Sequence, residues 1–140
     1  MKEYKPSLQT GYLLKVVQHE IRKRMDEELR EIDLTTPQYA ALSILNEFPG
    51  ISNAELSRKC FITPQTMNLI IHKLEKRKII EKTASLSHGR IQNIALTGRG
   101  RKLLDEADKI VMDVENKLTR KLSDGEKKTL NELLLKIDTE

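Results

Sequence analysis

Apolar residues recur at intervals of three and four along most of the chain, with one short stretch in which they alternate. From Leu8 to Ile32 the apolar residues Leu13, Val16, Val17, Ile21, Met25, Leu29 and Ile32 recur at three and four, with Arg and Glu between them, the signature of a long amphipathic helix. Nothing inside that segment covers the stripe, so it must be buried against a later element or a second copy of the chain. Gly11 weakens the first turn and marks an expected kink or fray. A second helix is expected from Thr36 as N-cap and Pro37 as its first residue to about Phe48. Tyr39, Leu42, Ile44 and Leu45 form its inner side, and Pro49-Gly50 ends it. Ser52 and Glu55 stand at capping-box spacing and open a short third helix, with Leu56 inward and Arg58 and Lys59 outward, that stops near Cys60.

Thr63-Pro64 caps a fourth helix that runs to about Lys78, with Met67, Ile70, Ile71 and Leu74 inward. Ile79-Ile80 with Lys82 and Thr83 then reads as a strand, and Ile91, Ile94 and Leu96 as its return. Between them lies the polar loop Ser85 to Arg90, where Gly89 permits a tight reversal. The helical period returns at Gly98 with Leu103, Leu104, Ala107, Ile110, Val111, Val114 and Leu118, and ends near Leu122. Ser123 and Glu126 repeat the capping-box spacing and open a last helix with Leu130, Leu133, Leu134 and Ile137 on one side.

A capped short helix, a tight connection, a second helix and two strands around a loop make a winged helix-turn-helix, which sets one helix in the major groove of DNA and a loop beside it. The expected fold class is mainly α with a small β-hairpin wing. Residues 34–97 form the DNA-binding lobe, and 8–32 with 98–138 form a helical dimerisation region, all within one domain spanning 1–140. A chain of 140 residues is of ordinary size for one such unit.

Charge sharpens this picture. The net charge is +4, yet residues 51–103 alone hold eleven basic and three acidic side chains. The positive excess therefore lies on the helix-turn-helix, as DNA binding requires. On the fourth helix Gln65, Thr66, Asn68, Leu69, His72, Lys73 and Lys76 remain on or near the outer face. Gln and Asn can bond adenine bidentately, and Thr can bond either kind of base edge. Arg90, at the loop exit, suits a narrow minor groove or a phosphate.

Other chemistry finds no support. One cysteine, Cys60, and three scattered histidines, His19, His72 and His88, offer neither an intrachain disulfide nor metal-ligand spacing. There is no phosphate-binding glycine loop and no nucleophile motif, so neither catalysis nor a cofactor is expected. Met1 to Pro6 lack a signal-peptide core, and no run reaches the roughly 20 apolar residues of a membrane helix. A cytoplasmic protein with no membrane partner follows. Cys60, beside Phe61, is expected to be a small buried residue rather than a reactive thiol.

The residues resemble one family closely, the MarR family of dimeric winged-helix transcription regulators. The resemblance spans nearly the whole chain. It is carried by Leu34-Thr35-Thr36-Pro37-Gln38-Tyr39, Glu55-Leu56, Thr63-Pro64-Gln65-Thr66-Met67, Leu74-Glu75-Lys76-Arg77, and Arg90 ahead of Leu96-Thr97-Gly98-Arg99-Gly100. It implies a homodimer on a pseudo-palindromic double-stranded operator, usually repressing nearby genes, and a pocket between dimer body and lobe for a small effector. Gln65, Thr66 and Asn68 fall at the family's base-reading positions, Lys73 at a phosphate-contacting one and Arg90 at the wing arginine. The candidate DNA-binding set is Ser52, Thr63, Pro64, Gln65, Thr66, Asn68, Leu69, His72, Lys73, Ser87, His88 and Arg90. Tyr12, His19 and Arg22 are candidates for a pocket taking an aromatic or anionic effector, and they suit rim or dimer contacts equally.

Three positions depart from the family pattern. His88 stands where an acidic residue is common, two before the wing arginine. Leu69 replaces a frequent basic residue, removing a phosphate contact or adding an apolar one to a thymine methyl. Lys78 replaces a frequent Gly, which implies a turn that does without a left-handed residue. The alternative from a different class is a winged-helix protein-interaction module whose basic face meets an acidic partner without operator specificity.

Overall fold

A computed structural model describes residues 3–84 and 92–137. Six helices and one hairpin follow in order among them: α1 Thr10–Leu29, α2 Thr36–Glu47, α3 Asn53–Lys59, α4 Pro64–Lys76, β1 Ile80–Ala84, β2 Gln92–Leu96, α5 Gly98–Leu118 and α6 Asp124–Lys136. Short 3-10 turns, Pro6–Leu8 and Arg30–Ile32, flank α1. β1 and β2 pair antiparallel, with Ile80 opposite Leu96 and Lys82 opposite Ile94. This is the mainly α fold with a small hairpin that the hydrophobic pattern predicts.

One core joins the elements. Met25 and Leu29 of α1 enter a buried cluster with Leu42 and Leu45 of α2, Leu56 of α3, Met67 and Leu74 of α4, and Leu104, Ala107, Val111 and Val114 of α5. The helices start where their caps direct. Ser52, Thr63, Thr97 and Ser123 each accept a backbone N–H three residues on, satisfying donors that the first turn leaves open. Gly11 lies inside continuous α-helix, so the expected kink does not form.

Other boundaries differ from expectation for physical reasons. Thr35, not Thr36, caps α2: its hydroxyl accepts the Gln38 N–H while the Gln38 side chain accepts the Thr35 N–H. Thr36, freed from that role, donates its hydroxyl to Asp26 on α1. The Ser52 box is half made, because the Glu55 carboxylate pairs with Arg58 instead of returning to the cap. α4 ends at Lys76 rather than Lys78, and α5 at Leu118 rather than Leu122.

Lys78 overturns the expectation of a turn without a left-handed residue, since its φ is +59°. The chain must reverse there to close the Ile79 N–H on the Leu74 carbonyl, at 3.0 Å. For a side-chain-bearing residue that backbone costs roughly 1–2 kcal/mol. The next residues lock the corner. The Thr97 N–H donates to the Ile79 carbonyl at 3.0 Å, and the Thr97 hydroxyl donates to the Lys78 carbonyl at 2.6 Å while accepting the Gly100 N–H. A Cβ on Gly100 would lie 2.1 Å from the Ile79 carbonyl oxygen, so α5 meets the hairpin this closely only through a glycine.

Among the described residues, apolar side chains of the first and last helical segments stay uncovered. Leu13, Val16 and Val17 on α1 and Leu130, Leu133, Leu134 and Ile137 at the C-terminal end are exposed, and α6 buries none of its residues within the chain.

Candidate nucleic-acid interface

α3 and α4 are held as a pair by their inner faces. Leu56, Met67, Ile70, Ile71 and Leu74 are buried, and Ser57 is buried with its hydroxyl donating to the Asn53 carbonyl at 2.8 Å. The far end of α4 is fixed separately, because the Arg77 guanidinium donates to the Asp33 carbonyl at 2.7 Å. The helix is thus anchored at its cap, along its inner stripe and at its C-terminal end.

The outer face of α4 carries the residues expected to read DNA. Gln65, Thr66, Asn68, Leu69, His72 and Lys73 are all exposed, as are Thr63 and Pro64 at its start and Ser52 at the start of α3. Leu69 is 64% exposed, an apolar side chain on an otherwise polar surface. Ser87, His88 and Arg90 lie outside the described residues, and so does the loop reversal at Gly89.

Three hydrogen bonds order this face. The Thr63 hydroxyl accepts the Thr66 N–H at 3.2 Å and donates to the Thr66 hydroxyl at 3.0 Å. Asn53, in the first turn of α3, donates its Nδ2 to the Asn68 Oδ1 at 2.5 Å. Asn53 is absent from the expected set: it lies fifteen residues before its partner, and only the crossing of α3 with α4 brings them together. Phe61, in the turn between the helices, is a second unexpected feature. It has a φ of +56° and is 96% exposed.

Tyr12, His19 and Arg22 lie on exposed positions of α1. Arg22 is paired with Asp26 at 3.3 Å, and Asp26 also accepts from Thr36 at the start of α2, so this part of α1 is tied to the lobe. A second tie runs between α2 and α5, where the Tyr39 hydroxyl donates to Asp108 at 2.8 Å. Partial burial, and then that bond to a carboxylate, push the Tyr39 pKa up to about 12. Cys60 is half-buried at the end of α3, and burial pushes its thiol pKa up. Among the described residues no group of His, Cys, Asp and Glu could hold a metal ion, and no helix is long and apolar enough to cross a membrane.

A model of the MarR family matches residues 32–91. The HTH-type transcriptional repressor Rv2887 of Mycobacterium tuberculosis is 33% identical over 130 residues, covering 93% of this chain and 94% of the relative. The chain belongs to the MarR family. Solved structures of the M. tuberculosis MarR family protein Rv2887 share its fold. The complex with salicylic acid has a TM-score of 0.81 at 32% identity, covering 99% of this chain and 100% of that one. The complex with DNA has a TM-score of 0.77 at 30% identity, covering 91% and 96%. Within this MarR family chain the matched segment spans α2 to the hairpin loop, the part that carries the candidate interface.

Proposed function

We propose that this MarR family chain is a homodimeric, sequence-specific DNA-binding repressor that acts in the cytoplasm on genes near its operator, by binding rather than by catalysis. The observation that carries the reading is the outer face of α4: a capped helix, anchored at both ends, that presents amides, a hydroxyl, an imidazole and Lys73 within residues 51–103, where eleven basic side chains face three acidic ones. The DNA complex of the M. tuberculosis relative supports it. In this reading the contacts come from Ser52, Thr63, Pro64, Gln65, Thr66, Asn68, Leu69, His72 and Lys73, with Ser87, His88 and Arg90 from the wing.

The dimer follows from the apolar surfaces left bare on α1 and α6. Leu13, Val16, Val17, Leu130, Leu133 and Leu134 belong to segments far apart in sequence, and a two-fold partner would cover both. The whole chain then serves as one MarR-type domain, with 34–97 as the lobe and 8–32 and 98–138 as the dimer region. Two recognition helices related by the two-fold axis require a pseudo-palindromic operator.

An aromatic or anionic effector would release the DNA. The salicylic acid complex of the relative supports that ligand class. Here Tyr12, His19 and Arg22 are the residues we assign to the pocket. An anion that drew Arg22 away from Asp26 would loosen the Asp26–Thr36 bond joining α1 to the lobe. The test is selection of bound fragments from the source genome, followed by titration against salt. Steep salt dependence on a palindromic site, weakened by Lys73→Ala, is expected. Retention of no fragment over any other would instead favour a protein-interaction module.

A further inference from the structure

We infer that Asn53 sets the polarity of the reading helix: it holds the Asn68 amide with Oδ1 toward α3 and Nδ2 outward, so that Asn68 reads hydrogen-bond acceptors instead of bonding adenine bidentately. The inference rests on the operator-binding reading above. Its physical basis is the Asn53 Nδ2 to Asn68 Oδ1 hydrogen bond across the α3–α4 crossing. An asparagine amide reads adenine by accepting from N6 through Oδ1 while donating to N7 through Nδ2. With Oδ1 turned toward the neighbouring helix and one of its two lone pairs engaged there, the amide turns its Nδ2 donors to the groove.

The orientation of the pair follows from what is left unpaired. Asn53 Oδ1 is buried with no hydrogen-bond partner in the structure. Reversing both amides would put the Asn53 NH2 in that place, burying two donors without partners in exchange for one such acceptor. Orphaned donors are the rarer and costlier case, so the arrangement with Asn53 donating is favoured.

Thr66 carries the same polarity. Its hydroxyl oxygen accepts from the Thr63 hydroxyl, whose own oxygen is occupied by the Thr66 N–H. The remaining hydrogen of Thr66 therefore points away from the cap. Two side chains two residues apart in the first turns of α4 thus offer donors to the groove. In the major groove guanine shows O6 and N7 and thymine shows O4, whereas cytosine shows the N4 amino donor and adenine pairs its N7 with the N6 donor. At the base reached by Asn68, guanine or thymine is favoured.

Full-length wild-type protein, Asn53→Asp, Asn53→Ala and Asn68→Ala are each used to select from a randomised duplex library, and the bound pools are sequenced. The position whose preference disappears in Asn68→Ala marks the base that Asn68 reads. Wild type is expected to prefer guanine or thymine there by about tenfold. In Asn53→Asp the carboxylate only accepts, so Asn68 must turn its Nδ2 inward and its Oδ1 outward, and the preference moves to adenine or cytosine by a similar factor. Asn53→Ala frees the amide, and adenine is admitted beside guanine and thymine.

The added carboxylate lies in the first turn of α3, where the helix dipole favours it, and melting curves recorded beside wild type check that the variant is folded. Its repulsion of phosphate lowers affinity for all sequences alike and cancels in the preference. A wild-type preference for adenine or cytosine at that base overturns the inference. So does an unchanged preference in both Asn53 variants, or an Asn68→Ala pool identical to wild type. In each of those cases enrichment of a palindrome leaves the operator reading standing, while a wild-type pool without enrichment overturns both.

Discussion

Replacing Gly100 with alanine places a methyl group where the structure has no room. The new Cβ would lie 2.1 Å from the Ile79 carbonyl oxygen, 3.1 Å from its carbon and 3.2 Å from Leu96 Cδ2. Carbon and oxygen normally approach to about 3.3 Å, so α5 and the start of the hairpin must separate by about 1.2 Å, the difference between 3.3 and 2.1. The obstacle is backbone, which cannot swing aside as a side chain would. Separation also strains the Thr97 N–H to Ile79 bond and the Thr97 hydroxyl bonds, which share the same carbonyls. Overpacking costs about 1–3 kcal/mol and one weakened hydrogen bond about 1 kcal/mol, so Gly100→Ala should lose roughly 2–4 kcal/mol. Gly98, two residues earlier in the same helix, meets nothing within 4 Å. Gly98→Ala should therefore be neutral or stabilising by up to about 1 kcal/mol. Urea unfolding followed by circular dichroism, at one fixed protein concentration because a dimer's stability depends on it, measures both variants. Gly100→Ala within about 0.5 kcal/mol of wild type, a margin usual for uncrowded surface sites, would refute the argument, and equal losses at the two positions would show that contact with Ile79 is not the cause.

Further outcomes concern single side chains. Tyr39→Phe removes the bond to Asp108 and should cost about 1 kcal/mol at neutral pH. Because the folded pKa of Tyr39 is raised from 10 to about 12, the tyrosine's contribution is fully present below pH 10 and is lost as pH rises to about 12; the difference between wild type and Tyr39→Phe should shrink over that window. Leu69→Arg adds a cation at a site 64% exposed, so it should leave the melting temperature unchanged and steepen the logarithmic salt dependence of DNA binding. Two added contacts per dimer correspond to about 1.8 in slope, and an unaltered slope would mean that position 69 does not approach phosphate. Cys60, half-buried with its thiol pKa raised, should react with iodoacetamide at pH 7.5 more slowly than the same protein in denaturant; equal rates would show the thiol to be open.

Legibility in the sequence tracks how local each interaction is. The caps at Ser52, Thr63 and Ser123 and the inner stripe Met67, Ile70, Ile71 and Leu74 are set by neighbours within one or two helical turns, and they were readable. The cap of α2 was also readable and points to Thr35 once its partner is sought: Thr35 stands three residues before Gln38, the spacing a reciprocal cap needs, whereas Thr36 only precedes Pro37. Lys78 was not readable from its own identity. What forces its left-handed backbone is the closing bond from Ile79 to Leu74 and the hold of Thr97 on the Lys78 carbonyl, and Thr97 lies nineteen residues further on.

The candidate interface divides along the same line. Which side chains of α4 face outward follows from a period of 3.6 and needed no structure. Which hydrogen-bonding atoms they turn outward does not, because an amide carries donor and acceptor equally and its neighbours decide between them. Asn68 read alone fits adenine. Asn68 beside Asn53 has its Oδ1 engaged across the α3–α4 crossing, and the neighbour responsible sits on another helix. If Asn68 reads a base as inferred above, base preference on this lobe is a property of the α3–α4 crossing as much as of the reading helix, and a substitution at Asn53 on α3 changes which base is read.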